Sequence, residues 1–410
     1  MGQKRLELSL IIIAIISTVY LLPATGTGDL ENGFLLWLER AQDLGFVNSF
    51  NKIVTAYPPF YILVPYVISN LLGITFFLSY KIFLVLGLVF LVFVVFKVSR
   101  SFKLSLSVYL IAVIPTLGLG YGDIFLTAFL LLSISYLSKG NSIKSGLFFS
   151  ISMCFKFTPL ILLPVFFLVL LNKKGGLHFR NFSSFLCDVI RFLGALSTFP
   201  ILICLIFSPF AYIENIKLAL LNGYLSGHAL NLGWLITAFG QIFGQDSARM
   251  LEPGIVRFTY VDVHSNLYLS MKYSALLLIA VYLLSRVNQE LDFVAVLRIC
   301  VNVVAVYYLL APGVHENHLL FVAPFCLFLR SSIKYENFAS LYILFVALIN
   351  PVIFYGLDGN SFIPRLILHQ DLTVVLSLVN VILFCVFYFS LLIKFDVINR
   401  KKIKVPRMDE

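Results

Sequence analysis

Two charged side chains stand inside apolar sequence. Asp123 lies in LGLGYGDIFLTAFLLL and Lys156 in ISMCFKFTPLILLP. Placing either charge in a bilayer costs about 3 kcal/mol unless it is paired or lines a wet cavity. The two residues therefore mark either a reaction site or a structural ion pair. A carboxylate within hydrogen-bond reach of a hydroxyl serves as a general base, and an ammonium steadies a developing anion. Asp29 follows the flexible TGTG run at 25–28, with Glu31 two residues on. Asp29 is placed equally well to cap a helix over LENGFLLWLERAQDLG, in which case Glu31 is the substitute base. His315, Glu316 and His318 stand in PGVHENHLLF. The histidines are spaced i, i+3 and are expected on one helix face, but the run lacks the HExxH spacing of a zinc site, so no metal ligands are assigned.

The elements that must carry these residues are membrane helices. Of 410 residues, 60% are hydrophobic and only 12% charged, with a mean hydropathy of +0.97. Soluble domains average about 25% charge, so the composition predicts an all-α, polytopic integral membrane protein. Apolar segments at 6–23, 79–98, 104–119, 123–138, 143–157, 158–171, 184–207, 266–285, 292–311, 317–330, 338–355 and 372–394 predict about twelve spans in a single domain. The first reads as a retained helix, because no convincing cleavage site follows it. Basic residues recur at alternate loops, from Lys4 and Arg5 through Arg100 and Lys103 to the tail at 395–410. That alternation places both termini in the cytoplasm, and it makes the net charge of +10 a topological signal rather than a nucleic-acid one. The six cysteines are scattered singly and suggest neither a disulfide framework nor a zinc site.

Residues 24–78 form the first outer loop. Within it, Leu30, Phe34, Trp37, Leu38, Ala41 and Leu44 make one apolar face of a helix expected to lie on the membrane surface. Phe60 to Phe77 is apolar enough to span, yet a crossing there would put Arg100 and Lys103 outside. It is expected to lie in or dip into the outer interface after Pro58-Pro59. On this topology Asp29, Glu31, Tyr57, Asp123, Lys156, His228, Asn231, Trp234, His315, Glu316 and His318 all fall at outer helix ends.

Several stretches, in chain order, resemble the GT-C superfamily of membrane glycosyltransferases, and most nearly its bacterial mannosyltransferase-like members related to glycosylphosphatidylinositol mannosyltransferase II. TGDLENGFLLWLERAQDLGF followed by AYPPFY resembles their first outer loop. GYGDIFLTAFLLL through CFKFTPLILLP resembles their Gly-Gln-x-Asp segment and the Lys before a Pro-containing helix. LSGHALNLGWL resembles an Asn-Leu-Trp-Trp-Leu element, and PGVHENHLLFVAPF a His-Glu-Arg-Tyr element. Tyr121-Gly122 stands in place of Gly-Gln, Gly233 in place of the first Trp, and Asn317-His318 in place of Arg-Tyr, so His318 or another cation must replace that Arg.

The resemblance implies inverting transfer of a hexose, mannose-like, from a polyprenyl-phosphate carrier to a lipid-linked or glycan acceptor at the non-cytoplasmic face. It implies Asp29 as the general base and Asp123 as a second acid that orients the acceptor or helps hold a divalent metal. Lys156, His315 and His318 are expected at the donor phosphate, with Glu31, Tyr57, Asn231, Trp234 and Glu316 around the substrate. The partners would be the lipid-linked donor, the acceptor and membrane lipids, in a bacterial inner membrane. No P-loop or GxGxxG run suggests a nucleotide-sugar donor. The rival readings are a transporter or lipid-linked-glycan flippase and an O-antigen polymerase or ligase. The first lacks a visible internal repeat. The second should carry a large, Arg-rich late outer loop, whereas Tyr355–Asp371 holds only Arg365 and His369.

Overall fold

The computed structural model describes residues 2–27, 30–52, 57–173, 182–243, 255–257, 259–287, 289, 291–329, 334–359, 366–367 and 370–402. It is 77% helical. Strand among the described residues is limited to two ladders of two-residue strands. Five described helices are long and apolar enough to cross a membrane: Phe76–Ser99, Ser183–Ile206, Asn266–Leu284, Phe293–Leu310 and Asn337–Tyr355. Large apolar side chains such as Leu71, Leu205 and Phe210 are at least three-quarters exposed. That would be a liability in water and is the ordinary state of a surface facing lipid.

Phe293–Leu310 sits at the centre, with 67% of its apolar window buried, whereas Ser183–Ile206 has 11% of its window buried and lies at the periphery. Small residues let the inner helices approach. A Cβ on Gly87 would lie 2.5 Å from Ile124 and 2.6 Å from Phe125, so Phe76–Ser99 packs closely on helix Asp123–Ser138 only because residue 87 has no side chain. Helix Asp123–Ser138 in turn packs on Ser142–Met153, where the Ser133 hydroxyl donates to the Ser145 carbonyl at 2.7 Å.

Several expected boundaries shift for identifiable reasons. The 104–119 segment is an α-helix at Phe102–Val113 that widens into a π-turn at Ile114–Gly118, where Pro115 lacks an N–H to continue the ladder. The 317–330 segment is not a spanning helix. Residues 317–329 are a series of turns around one short helix, Ala323–Cys326, with Pro324 in its first turn. Helix Pro209–Leu220 was not among the predicted segments, because Glu214, Asn215 and Lys217 dilute its hydropathy. Ser208 caps it, accepting from the Ala211 N–H. Leu232–Phe243 is a further helix outside the predicted set. The helix Leu372–Lys402 carries its backbone into the basic tail, whose residues 403–410 lie outside the described residues.

Phe60–Leu72 is a 13-residue helix. It rises about 20 Å, short of the roughly 30 Å of hydrocarbon, and so cannot cross alone. Before it, residues 30–52 form a π-turn at Leu30–Leu35 and helices at Leu36–Leu44 and Phe46–Lys52. The apolar face expected there is present, with Leu30, Phe34, Leu38 and Ala41 buried against protein, while Leu44 remains exposed. Phe34 packs against Tyr57 and Tyr61 at ring separations of 4.9 and 4.7 Å and stacks on Tyr80 at 5.5 Å.

Three loops meet beside this cluster. Gly26 N–H donates to the Asp358 carbonyl at 3.0 Å, and Thr27 N–H to the Leu119 carbonyl at 3.2 Å. A Cβ at Gly118 would strike the Leu357 carbonyl, and one at Gly359 the Gly26 carbonyl. The segment after helix Gly2–Leu21, the start of helix Asp123–Ser138 and the 356–359 turn therefore share one end of the molecule.

Candidate active site

The turn ahead of Asp123 is fixed from two sides. Tyr80 OH donates to the Gly120 carbonyl at 2.8 Å and lies 2.9 Å from Tyr61 OH, which accepts from the Gly122 N–H at 2.7 Å. A Cβ on Gly122 would lie 2.6 Å from the Tyr61 hydroxyl, so a glycine is required there. Lys81 Nζ donates to the Leu117 carbonyl at 2.5 Å, one turn earlier. These contacts place Asp123, itself buried, at the first turn of its helix.

Lys156 reaches Asp123 from the turn after Ser142–Met153, the two forming a buried ion pair at 2.9 Å. The same Nζ donates to Asn317 Oδ1 at 3.3 Å and stands 5.9 Å from the centre of the Tyr57 ring. An ammonium, rather than a cluster of acids, thus balances Asp123. Among the described residues no three His, Cys, Asp or Glu side chains group as metal ligands.

His315 and His318 do not share a helix face. His315 belongs to a two-residue strand, Val314–His315, paired in parallel with Ser226–Gly227. His318 follows in a turn, where its Nδ1 accepts from the His315 N–H at 3.4 Å and the rings lie 5.6 Å apart. The proximity expected from i, i+3 spacing is present, but a turn produces it. Gly227 allows the approach, since a Cβ there would lie 2.5 Å from His315 Nδ1. On its far side His315 Nε2 contacts the Tyr224 hydroxyl.

Glu316 is buried behind this wall. Its Oε1 accepts from Tyr121 OH at 2.6 Å and its Oε2 lies 3.7 Å from His315 Nδ1. Burial alone would raise the carboxyl, but the adjacent His315 ring and the Tyr121 hydroxyl outweigh it and hold the group below its ordinary range.

A cavity of about 510 Å³ opens in front of these residues. Its walls include Lys156, His315, Asn317 and His318, together with Tyr57 and with Gly33, Phe34 and Trp37 from the segment after the first helix. Lys272 and Asn222 also line it, and Leu160, Ile161, Leu220 and Leu276 make an apolar sector. Side chains more than 280 positions apart in the chain thus border one space.

Other expected residues stand elsewhere. Trp234 is fully buried among Leu230, Ala238 and Phe354, and its indole N–H donates to Thr373 Oγ1 at 2.8 Å. Asn231 caps the same helix by accepting from the Trp234 N–H at 2.9 Å, and its amide donates to the Tyr308 carbonyl at 3.0 Å. Both are held by protein partners, and neither is among the residues bordering the cavity. His228 contacts Tyr355 OH at 2.8 Å. Asp29 lies outside the described residues, as does the Glu31 side chain. The flanking Thr27 and Leu30 are buried, and the Leu30 N–H donates to the Thr27 carbonyl at 2.8 Å. Lys272 was not singled out from the sequence. A charge within an otherwise apolar run was the available signal.

Comparison with family models finds no match, and comparison with curated proteins finds none.

Proposed function

We propose that the chain is a membrane glycosyltransferase of GT-C type, moving a hexose from a polyprenyl-phosphate carrier to a lipid-linked or glycan acceptor on the non-cytoplasmic side of a bacterial inner membrane. The observation that carries this reading is the cavity shared by Lys156, His315, His318 and Tyr57 with the first outer loop. On this reading about twelve segments cross or partly cross the bilayer, with the termini in the cytoplasm.

The chemistry asks little of the protein at the leaving group. A phosphate departs as an anion without a general acid, provided cations hold its charge. The acceptor hydroxyl needs a base, and Asp29 takes its proton as the new glycosidic bond forms and the bond to phosphate breaks, with inversion at the sugar carbon. Asp123, ion-paired to Lys156, positions that cation at the wall. Tyr57 and Trp37 offer aromatic faces to the sugar.

In purified protein supplied with a polyprenyl-phosphate hexose, Asp29→Asn is expected to abolish transfer while leaving expression and melting temperature unchanged. Full turnover by that variant would remove Asp29 from the mechanism. Hexose import or lipid flipping by the wild type, without transfer, would favour the transporter reading.

A further inference from the structure

Among the described cations that border the cavity, Lys272 alone has its ammonium unspent. Lys156 is committed to Asp123 and Asn317. His315 is held between Tyr224 and Glu316, and His318 accepts from the His315 backbone. Lys272 makes no ion pair and no hydrogen bond among the described residues, and no carboxylate appears among the described residues of the cavity wall. It lies in helix Asn266–Leu284, one of the five long enough to cross a membrane. Six residues from the helix start, it sits about 9 Å along the axis. An unpaired ammonium at such a position calls for water or an anion to meet it.

The surroundings specify what kind of anion. Leu276, one turn further along the same helix, also borders the cavity and is 43% exposed. Leu220, at the end of helix Pro209–Leu220, borders it from another side and is 44% exposed. A cation at the cavity wall with two partly exposed leucines beside it complements a phosphate that carries a long apolar chain. A small hydrophilic anion would use the cation and leave the apolar sector idle.

We propose that Lys272 anchors the phosphate of a polyprenyl-type lipid whose chain leaves the cavity past Leu220 and Leu276. The assignment rests on the lipid-phosphate donor reading above and names the residue and the path that reading lacks.

Binding rather than turnover tests it. The full chain in lipid nanodiscs is titrated with a fluorescent short-chain polyprenyl monophosphate, with inorganic phosphate and a sugar 1-phosphate as competitors. Lys272→Met is expected to weaken binding about tenfold or more, the loss of a charged hydrogen-bonded contact. Lys272→Arg should stay within roughly threefold of wild type, because the charge is kept. Leu276→Trp, which narrows the apolar path, should weaken the lipid without altering the melting temperature. Inorganic phosphate at millimolar concentration should not compete.

Wild-type affinity in Lys272→Met overturns the assignment. Equal competition by inorganic phosphate or the sugar phosphate overturns the lipid as the source of the anion. Should Lys272→Met fail to fold, Lys272→Gln is read in its place with the same outcomes. Lys272-dependent lipid binding without sugar transfer would sink the transferase reading and leave this one standing. Transfer with lipid affinity indifferent to residue 272 would do the reverse.

Discussion

Asp123 and Lys156 balance each other in a place with little water, so the loss of either leaves its partner's charge stranded. Breaking a buried pair from one side costs about 3–5 kcal/mol, whereas replacing both partners with apolar groups is often close to neutral. Lys156→Met is therefore expected to lower the melting temperature of the detergent-solubilised protein by several degrees or more, with Asp123→Leu in the same chain restoring most of it. Scanning calorimetry or a thermal-shift assay reads this directly, and equal stability of the single variant and wild type would count against the pair. Asp123 and Lys156 were legible because a charge inside an apolar run always asks for a partner. Asn231 and Trp234 were not correctly legible, since an amide and an indole suit a sugar and a buried helix start equally well. Lys272 and Lys81 escaped notice because a lysine a turn or two inside a helix reads as one that snorkels to the surface.

At the scale of elements, the short parallel pairing of Ser226–Gly227 with Val314–His315 joins two loops that are distant in sequence. Hydropathy sees neither strand, and it reads 317–330 as a helix because buried turns are as apolar as spans. What it misses is that their polar backbone groups find partners, as where the Thr127 hydroxyl donates to the Phe321 carbonyl at 3.0 Å. The long helices were legible within a few residues, since length and unbroken apolarity suffice for them. Gly227→Ala tests the pairing. Its new methyl must push the His315 ring aside, at a cost of about 1–3 kcal/mol. We expect a lower melting temperature and weaker polyprenyl-phosphate binding, measured on the same preparation. Unchanged values for both would show that the ring can yield freely. Ala substitution at Gly240, where a Cβ meets nothing within 4 Å, is the matched control.

For the whole molecule, the alternation of basic loops makes a statement about sides. Asn48 and Lys103 are both exposed, the first in the outer loop and the second in a basic cluster assigned to the cytoplasm. In a chain with its six cysteines replaced, Asn48→Cys should react with an impermeant maleimide in intact cells and Lys103→Cys only after permeabilisation. Labelling of both from the same side would overturn the orientation, and with it the outer-face cavity.

The contacts among Gly26, Leu119 and Asp358 carry a consequence for biogenesis. A chain emerges from the ribosome and enters the membrane from its N-terminus. The first two partners are in place before a third of the polypeptide exists, while the last arrives only when nearly nine-tenths has been made. The neighbourhood of the first outer loop must therefore wait, unclosed, through most of translation. A nascent protein arrested before its final helices would insert normally and still lack a finished rim.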